Sequence, residues 1–124
     1  MIFGIGIDVF EPKRIENKIS KLKGLREDLF TDKEIEYCEA KKNKYVHYAV
    51  RFAAKEAFFK ALGTGMRYGM SFCDVEVTNN QLGKPELIIH GKAKELLEKN
   101  EIINTFVSLS HTKQIVNSIV ILEK

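Results

Sequence analysis

The chain has 124 residues, enough for one domain with its own core, and its 44% hydrophobic and 30% charged residues are globular rather than disordered values. Twenty Lys+Arg against 17 Asp+Glu give a net charge of +3, compatible with a phosphorylated ligand or an acidic partner and too weak to argue for nucleic acid. MIFGIGIDVF has no basic leader, no apolar run approaches the roughly 18 residues of a membrane span, and Cys38 and Cys73 stand alone, so the chain reads as cytoplasmic with reduced, buried thiols.

Residues 2 to 10 form a nearly continuous apolar run, which predicts a buried strand. Pro12 suits the first turn of a helix with Ile15, Ile19 and Leu22 on its stripe, ending near Gly24. Thr31 and Glu34 have the spacing of a capping box, so a second helix starts there and fades in KKNK at 41 to 44. The third helix covers about 45 to 62 and stops at Gly63-Thr64-Gly65. Phe72 to Thr78 alternates like a strand, NNQLGKP turns the chain, and ELIIH follows as its partner. Residues 91 to 100 predict a helix with a lysine-rich outer face. Thr105–His111 and Ile115–Leu122 predict a final strand pair. Helices first and strands afterwards, with one strand at the start, predict a single α+β domain over 1–124 with a mainly antiparallel sheet packed against helices.

The third helix holds a contradiction. RFAAKEAFFKALGTG is apolar nearly all round, yet Glu56 falls within the stripe of Tyr45, Tyr48, Ala49, Phe52 and Phe59. Lys60 lies at the edge of that stripe, and Arg51 with Lys55 makes a second basic edge. An i,i+4 Glu-to-Lys pair on a surface is the ordinary reading. A carboxylate among apolar neighbours needs more compensation than one edge lysine, and a hard divalent cation supplies it. On the first strand Gly4, Gly6 and Asp8 share a face with room for close packing, opposite Phe3, Ile5, Ile7 and Val9. Asp8 and Glu56 together are what Mg²⁺ commonly takes from a protein, waters and phosphates completing its shell. Neither nucleotide-binding glycine fingerprint is complete. Ser108, Ser110, His111 and Lys113 near one strand end suit phosphate at low specificity, and no neighbouring acid supports a Ser-His-Asp triad.

In order along the chain, GIGIDVFEPKRI, RFAAKEAFFKALGTG, FCDVEV, LGKPEL and SLSHT resemble one family, the small holo-[acyl-carrier-protein] synthases, which are 4′-phosphopantetheinyl transferases. The resemblance implies the fold of that family and transfer of 4′-phosphopantetheine from coenzyme A to a serine of apo acyl carrier protein, for fatty acid biosynthesis, releasing 3′,5′-ADP. It implies Mg²⁺ on Asp8 and Glu56, and Lys60 on the phosphates. It implies a coenzyme site lined by Arg51, Gly63, Thr64, Gly65, Lys84, Pro85, Ser110, His111 and Thr112. It further implies a homotrimer with sites between subunits. The proton of the carrier serine goes to Glu56 or to a metal-bound water near Asp8, a choice the sequence leaves open. The helix after the first strand, usually arginine-rich in this family, keeps Arg14 with Lys18 and Lys21 for carrier docking, while Gly24 and Asp28 depart from the pattern. Glu11 does not match the G-x-D-x-E spacing of the larger transferases and is not a metal ligand on this reading. The competing reading is a non-enzymatic basic module for nucleic acid or an acidic protein. It needs lysines clustered with exposed aromatics, whereas the aromatics at 45 to 59 follow the apolar helix pattern.

Overall fold

A computed structural model describes residues 1–124 and shows an α+β fold. The order is β1 (Ile2–Phe10), α1 (Pro12–Lys21), α2 (Leu25–Leu29), α3 (Asp32–Glu39), α4 (Lys44–Leu62), β2 (Val75–Asn79), β3 (Pro85–Ile89), α5 (Gly91–Lys99), β4 (Asn104–His111) and β5 (Val116–Glu123). Every strand pairing is antiparallel: β1–β5–β4 make one sheet and β2–β3 a separate hairpin.

The long helix α4 organises the rest. Alanines at 49, 53, 54 and 57 are fully buried and let neighbouring backbone come close. Its C-terminal half packs with α5, β2 and β5 in one cluster, and its N-terminal half packs with α1, Phe30, Cys38 and Phe10 in another. What the glycine face of β1 makes room for is this helix. A Cβ on Gly4 would lie 1.9 Å from the Ala61 carbonyl oxygen, and one on Gly6 would lie 1.9 Å from that of Ala57. The helix ends at Gly63, whose φ of 86° closes a left-handed cap with its N–H on the Phe59 and Lys60 carbonyls. The Thr31–Glu34 capping box forms as the spacing predicts.

The structure corrects several expectations. β1 is not buried on both faces: Ile5, Ile7 and Val9 are each more than half exposed, because α4 covers only the glycine side. Phe3 sits at a register shift between Ile2 and Gly4 and packs against the core instead of standing with Ile5. Leu22 is exposed just past α1, and the short helix α2 was not foreseen. Phe72–Asp74 is a 3₁₀ turn, so the strand begins only at Val75. Cys38 is buried but Cys73 is half-exposed in that turn, its Sγ against the carbonyls of Glu27 and Asp28.

Arg51 and Lys55 form no basic edge. Both are buried, since α3 and the β2–β3 hairpin close over that side of α4. Lys55 Nζ donates to Glu34 Oε1 (2.7 Å) and to the carbonyls of Phe72 (2.9 Å) and Val75 (2.6 Å). Glu34 also accepts from the N–H groups of Thr31 and Val77 at 3.0 Å each. This buried pair is therefore fully hydrogen-bonded, the condition under which an ion pair in an interior is tolerated.

Candidate active site

Where β1 runs against the C-terminal half of α4, Asp8, Glu56 and Lys60 come together. Lys60 bonds to Asp8 rather than to Glu56: its Nζ donates to Asp8 Oδ1 at 3.0 Å and to the Ile7 carbonyl at 2.9 Å. Glu56 is half-buried, and its pKa is raised, first by loss of hydration and then by the Asp8 charge, against the pull of Lys60 and Lys18. Lys18 is thus the α1 residue whose charge reaches Glu56. Arg14 (4.8 Å) and Lys18 (6.0 Å) stand over the Phe10 ring, and both are exposed with Lys21 along α1. Two adjacent carboxylates, one of them resisting ionisation, form a donor set that a divalent cation fits, because it relieves both burdens at once.

Gly63, Thr64 and Gly65 follow directly after α4. Gly63 and Gly65 are exposed, and the Thr64 hydroxyl donates to the Gly65 carbonyl at 2.8 Å.

The remaining candidates gather on another side of α4. Arg51 lies five residues before Glu56, about 140° around the helix. With Pro85 and His111 it lines a cleft of about 200 Å³, completed by His47, Asn79 and Gly83 among others. Lys84 is exposed beside Pro85, and Ser110 and Thr112 flank His111. Thr112 is tied into the β4–β5 turn, its Oγ1 accepting from the N–H groups of Gln114 (3.2 Å) and Ile115 (3.1 Å). His47 and His111 stack edge to face with centroids 6.0 Å apart. Burial, followed by Arg51 and His111, pushes His47 down to about 4, so its ring is neutral at pH 7. One chain therefore holds the candidates in two groups, Asp8–Glu56–Lys60 with the glycine turn, and Arg51–Pro85–His111 with their neighbours.

Sequence reading missed part of this surface. Tyr37, His47 and Asn79 had no motif to announce them. The KKNK stretch, read only as a helix end, contributes Lys41, Lys42 and Lys44 to an open cleft of about 560 Å³ shared with Lys13 and Lys113. The outer face of the β1–β5–β4 sheet is a further surface: Ile5 pairs with Ile121, which pairs in turn with Phe106, and Ile7 pairs with Ile119, which pairs with Ser108.

Residues 4–116 match the model of the 4′-phosphopantetheinyl transferase superfamily. The chain is 50% identical to a holo-[acyl-carrier-protein] synthase of Geobacter sulfurreducens, over 100% of this chain and 99% of that protein. Among solved structures it resembles the holo-[acyl-carrier-protein] synthase of Neisseria meningitidis, with a TM-score of 0.90 at 34% identity and all of both chains covered. It also resembles the Bacillus anthracis synthase in complex with coenzyme A (3′,5′-ADP), with a TM-score of 0.82 at 39% identity over 99% of this chain and 97% of that one.

Proposed function

The chain belongs to the holo-[acyl-carrier-protein] synthases of the 4′-phosphopantetheinyl transferase superfamily, and we propose that it moves 4′-phosphopantetheine from coenzyme A to a serine of an apo acyl carrier protein. The products are holo carrier protein, for fatty acid biosynthesis in the cytoplasm, and 3′,5′-ADP. The observation that carries this reading is the meeting of Asp8, Glu56 and Lys60 at the edge of a basic helix.

Asp8 and Glu56 are the residues to hold Mg²⁺, which when bound neutralises pyrophosphate charge. Two of the three Lys60 N–H groups are used on Asp8 and Ile7, leaving one for a phosphate oxygen. The serine oxygen bonds to the phosphorus that carries the pantetheine arm. The bond from that phosphorus to the bridging oxygen breaks, and 3′,5′-ADP leaves with the electron pair, its growing charge facing Lys60. Glu56 takes the serine proton. Of the two carboxylates it is the one that Lys60 does not hydrogen-bond. Arg14, Lys18 and Lys21 on α1 offer an acidic carrier a dock beside these groups.

The two groups of candidates are separate in one chain, and the open face of the β1–β5–β4 sheet is apolar. Both features support a homotrimer in which one copy supplies Asp8, Glu56 and Lys60, and its neighbour supplies Lys84, Pro85, Ser110, His111 and Thr112. No helix is long and apolar enough to cross a membrane. Incubation with apo carrier protein, coenzyme A and Mg²⁺ should add about 340 Da to the carrier by mass spectrometry, the mass of the phosphopantetheine group the cofactor brings. A carrier that keeps its apo mass overturns the reading.

A further inference from the structure

In the Gly83-Lys84-Pro85 turn Gly83 and Lys84 are exposed and Pro85 is half-buried, and two consecutive asparagines hold it in different ways. Asn80 acts locally: its Oδ1 accepts from the N–H groups of Leu82 (2.9 Å) and Lys84 (3.0 Å), an Asx turn. Asn79 reaches outward. Its Nδ2 donates to the Gly83 carbonyl at 2.9 Å, while its Oδ1 accepts from Arg51 Nη2, also at 2.9 Å. Arg51 is only 2% exposed, its guanidinium lies 4.2 Å over the Tyr37 ring, and its Nε has no partner. A buried arginine with an orphaned donor is a costly way to gain stability, so the group calls for another explanation.

We propose that Asn79 is a positioning residue that couples the Arg51 guanidinium to the Gly83 carbonyl and so sets where Lys84 and Pro85 stand. Arg51 cannot adjust the turn itself, since α4 and the Tyr37 ring fix it. Asn79, donating through its NH₂ and accepting through its Oδ1 on a single planar amide, fixes the carbonyl relative to the helix. Gly83 and Pro85, on either side of Lys84, thereby keep their place on the wall shared with His111. On this view Arg51 serves the cleft through the turn, its charge stacked on Tyr37 instead of presented to a ligand. That the cleft receives coenzyme A rests on the proposed function; the coupling of Asn79 to the turn does not.

The test varies coenzyme A and apo carrier separately in steady-state kinetics. Asn79→Ala should raise KM for coenzyme A about five- to tenfold, the worth of a hydrogen bond or two. The kcat and the KM for carrier should stay within about twofold, as expected when only substrate binding is touched. Arg51→Lys keeps the charge but loses the planar fork and should show the same split. Hydrogen exchange read without any substrate should speed up at the Leu82 to Lys84 amides in Asn79→Ala, with Asn79→Ser as a second, milder variant. Unchanged exchange together with unchanged KM for coenzyme A overturns the proposal. So does an equal loss toward both substrates with a lowered melting temperature, which is plain destabilisation. If the unmodified protein fails to modify any carrier, the proposed function falls, and the exchange measurement still decides the role of Asn79.

Discussion

Gly6→Ala should cripple transfer, although residue 6 touches no substrate. A Cβ built there lies 1.9 Å from the Ala57 carbonyl oxygen and 2.7 Å from the Ala61 nitrogen, where 3.0 Å is about the closest a real Cβ comes. The difference, 3.0 minus 1.9, is 1.1 Å of forced separation between β1 and α4. The atoms in the way are helix backbone, so no side-chain rotation removes the clash. Asp8 is two residues on along the same strand, and its 3.0 Å contact with Lys60 does not survive a shift of that size. Misplacing a catalytic group by about 1 Å costs on the order of a hundredfold in rate, and kcat/KM should fall by about that much. Overpacking should also cost about 1–3 kcal/mol of stability, which lowers the melting temperature without unfolding the protein at 25 °C. Steady-state transfer and thermal unfolding by circular dichroism read the two effects. A Gly6→Ala protein with native kcat/KM and melting temperature would refute the claim that close helix–strand contact places Asp8.

Glu56→Gln should abolish transfer and make the metal-free protein more stable at neutral pH. A carboxylate whose folded pKa is raised withdraws stability as pH rises from the ordinary value of 4.5 through the folded one. The melting temperature difference between variant and parent should therefore open over that range; a difference flat with pH sinks the assignment. NMR titration of the Glu56 carboxyl should fall on adding Mg²⁺, whereas an unmoved titration argues against a shared ion. Lys55→Met should cost about 3–5 kcal/mol in urea unfolding, because Glu34 is left buried and unpaired. Glu34→Leu/Lys55→Met should not recover that loss, since the Thr31 and Val77 N–H groups and the Phe72 and Val75 carbonyls then lack partners. A double variant as stable as the parent contradicts this. Ile7→Lys should lower the sedimenting mass of the proposed trimer to that of a single chain and remove transfer; an unchanged mass refutes the proposed sheet-face contact.

Much of this molecule was legible along the chain, because local chemistry determines it. The Thr31–Glu34 box starts α3 through bonds among four neighbouring residues, and Gly63 stops α4 through its own φ. The α+β order and antiparallel pairing followed from period and spacing. The motifs around Asp8, Glu56 and Lys60 pointed to the family that the comparisons bear out. The fate of the charges on α4 was a tertiary matter. Arg51, Lys55, Glu56 and Lys60 lie within ten residues of one helix and look alike in sequence. Lys55 is buried on Glu34, 21 residues away, and Arg51 on Asn79, 28 away, while Glu56 and Lys60 face Asp8 on a different strand. A charge is paid for by whichever partner the fold brings to it, and that partner's distance along the chain carries no local signal. The same holds for β1, whose apolar run reads as buried on both faces until α4 is seen to cover only one.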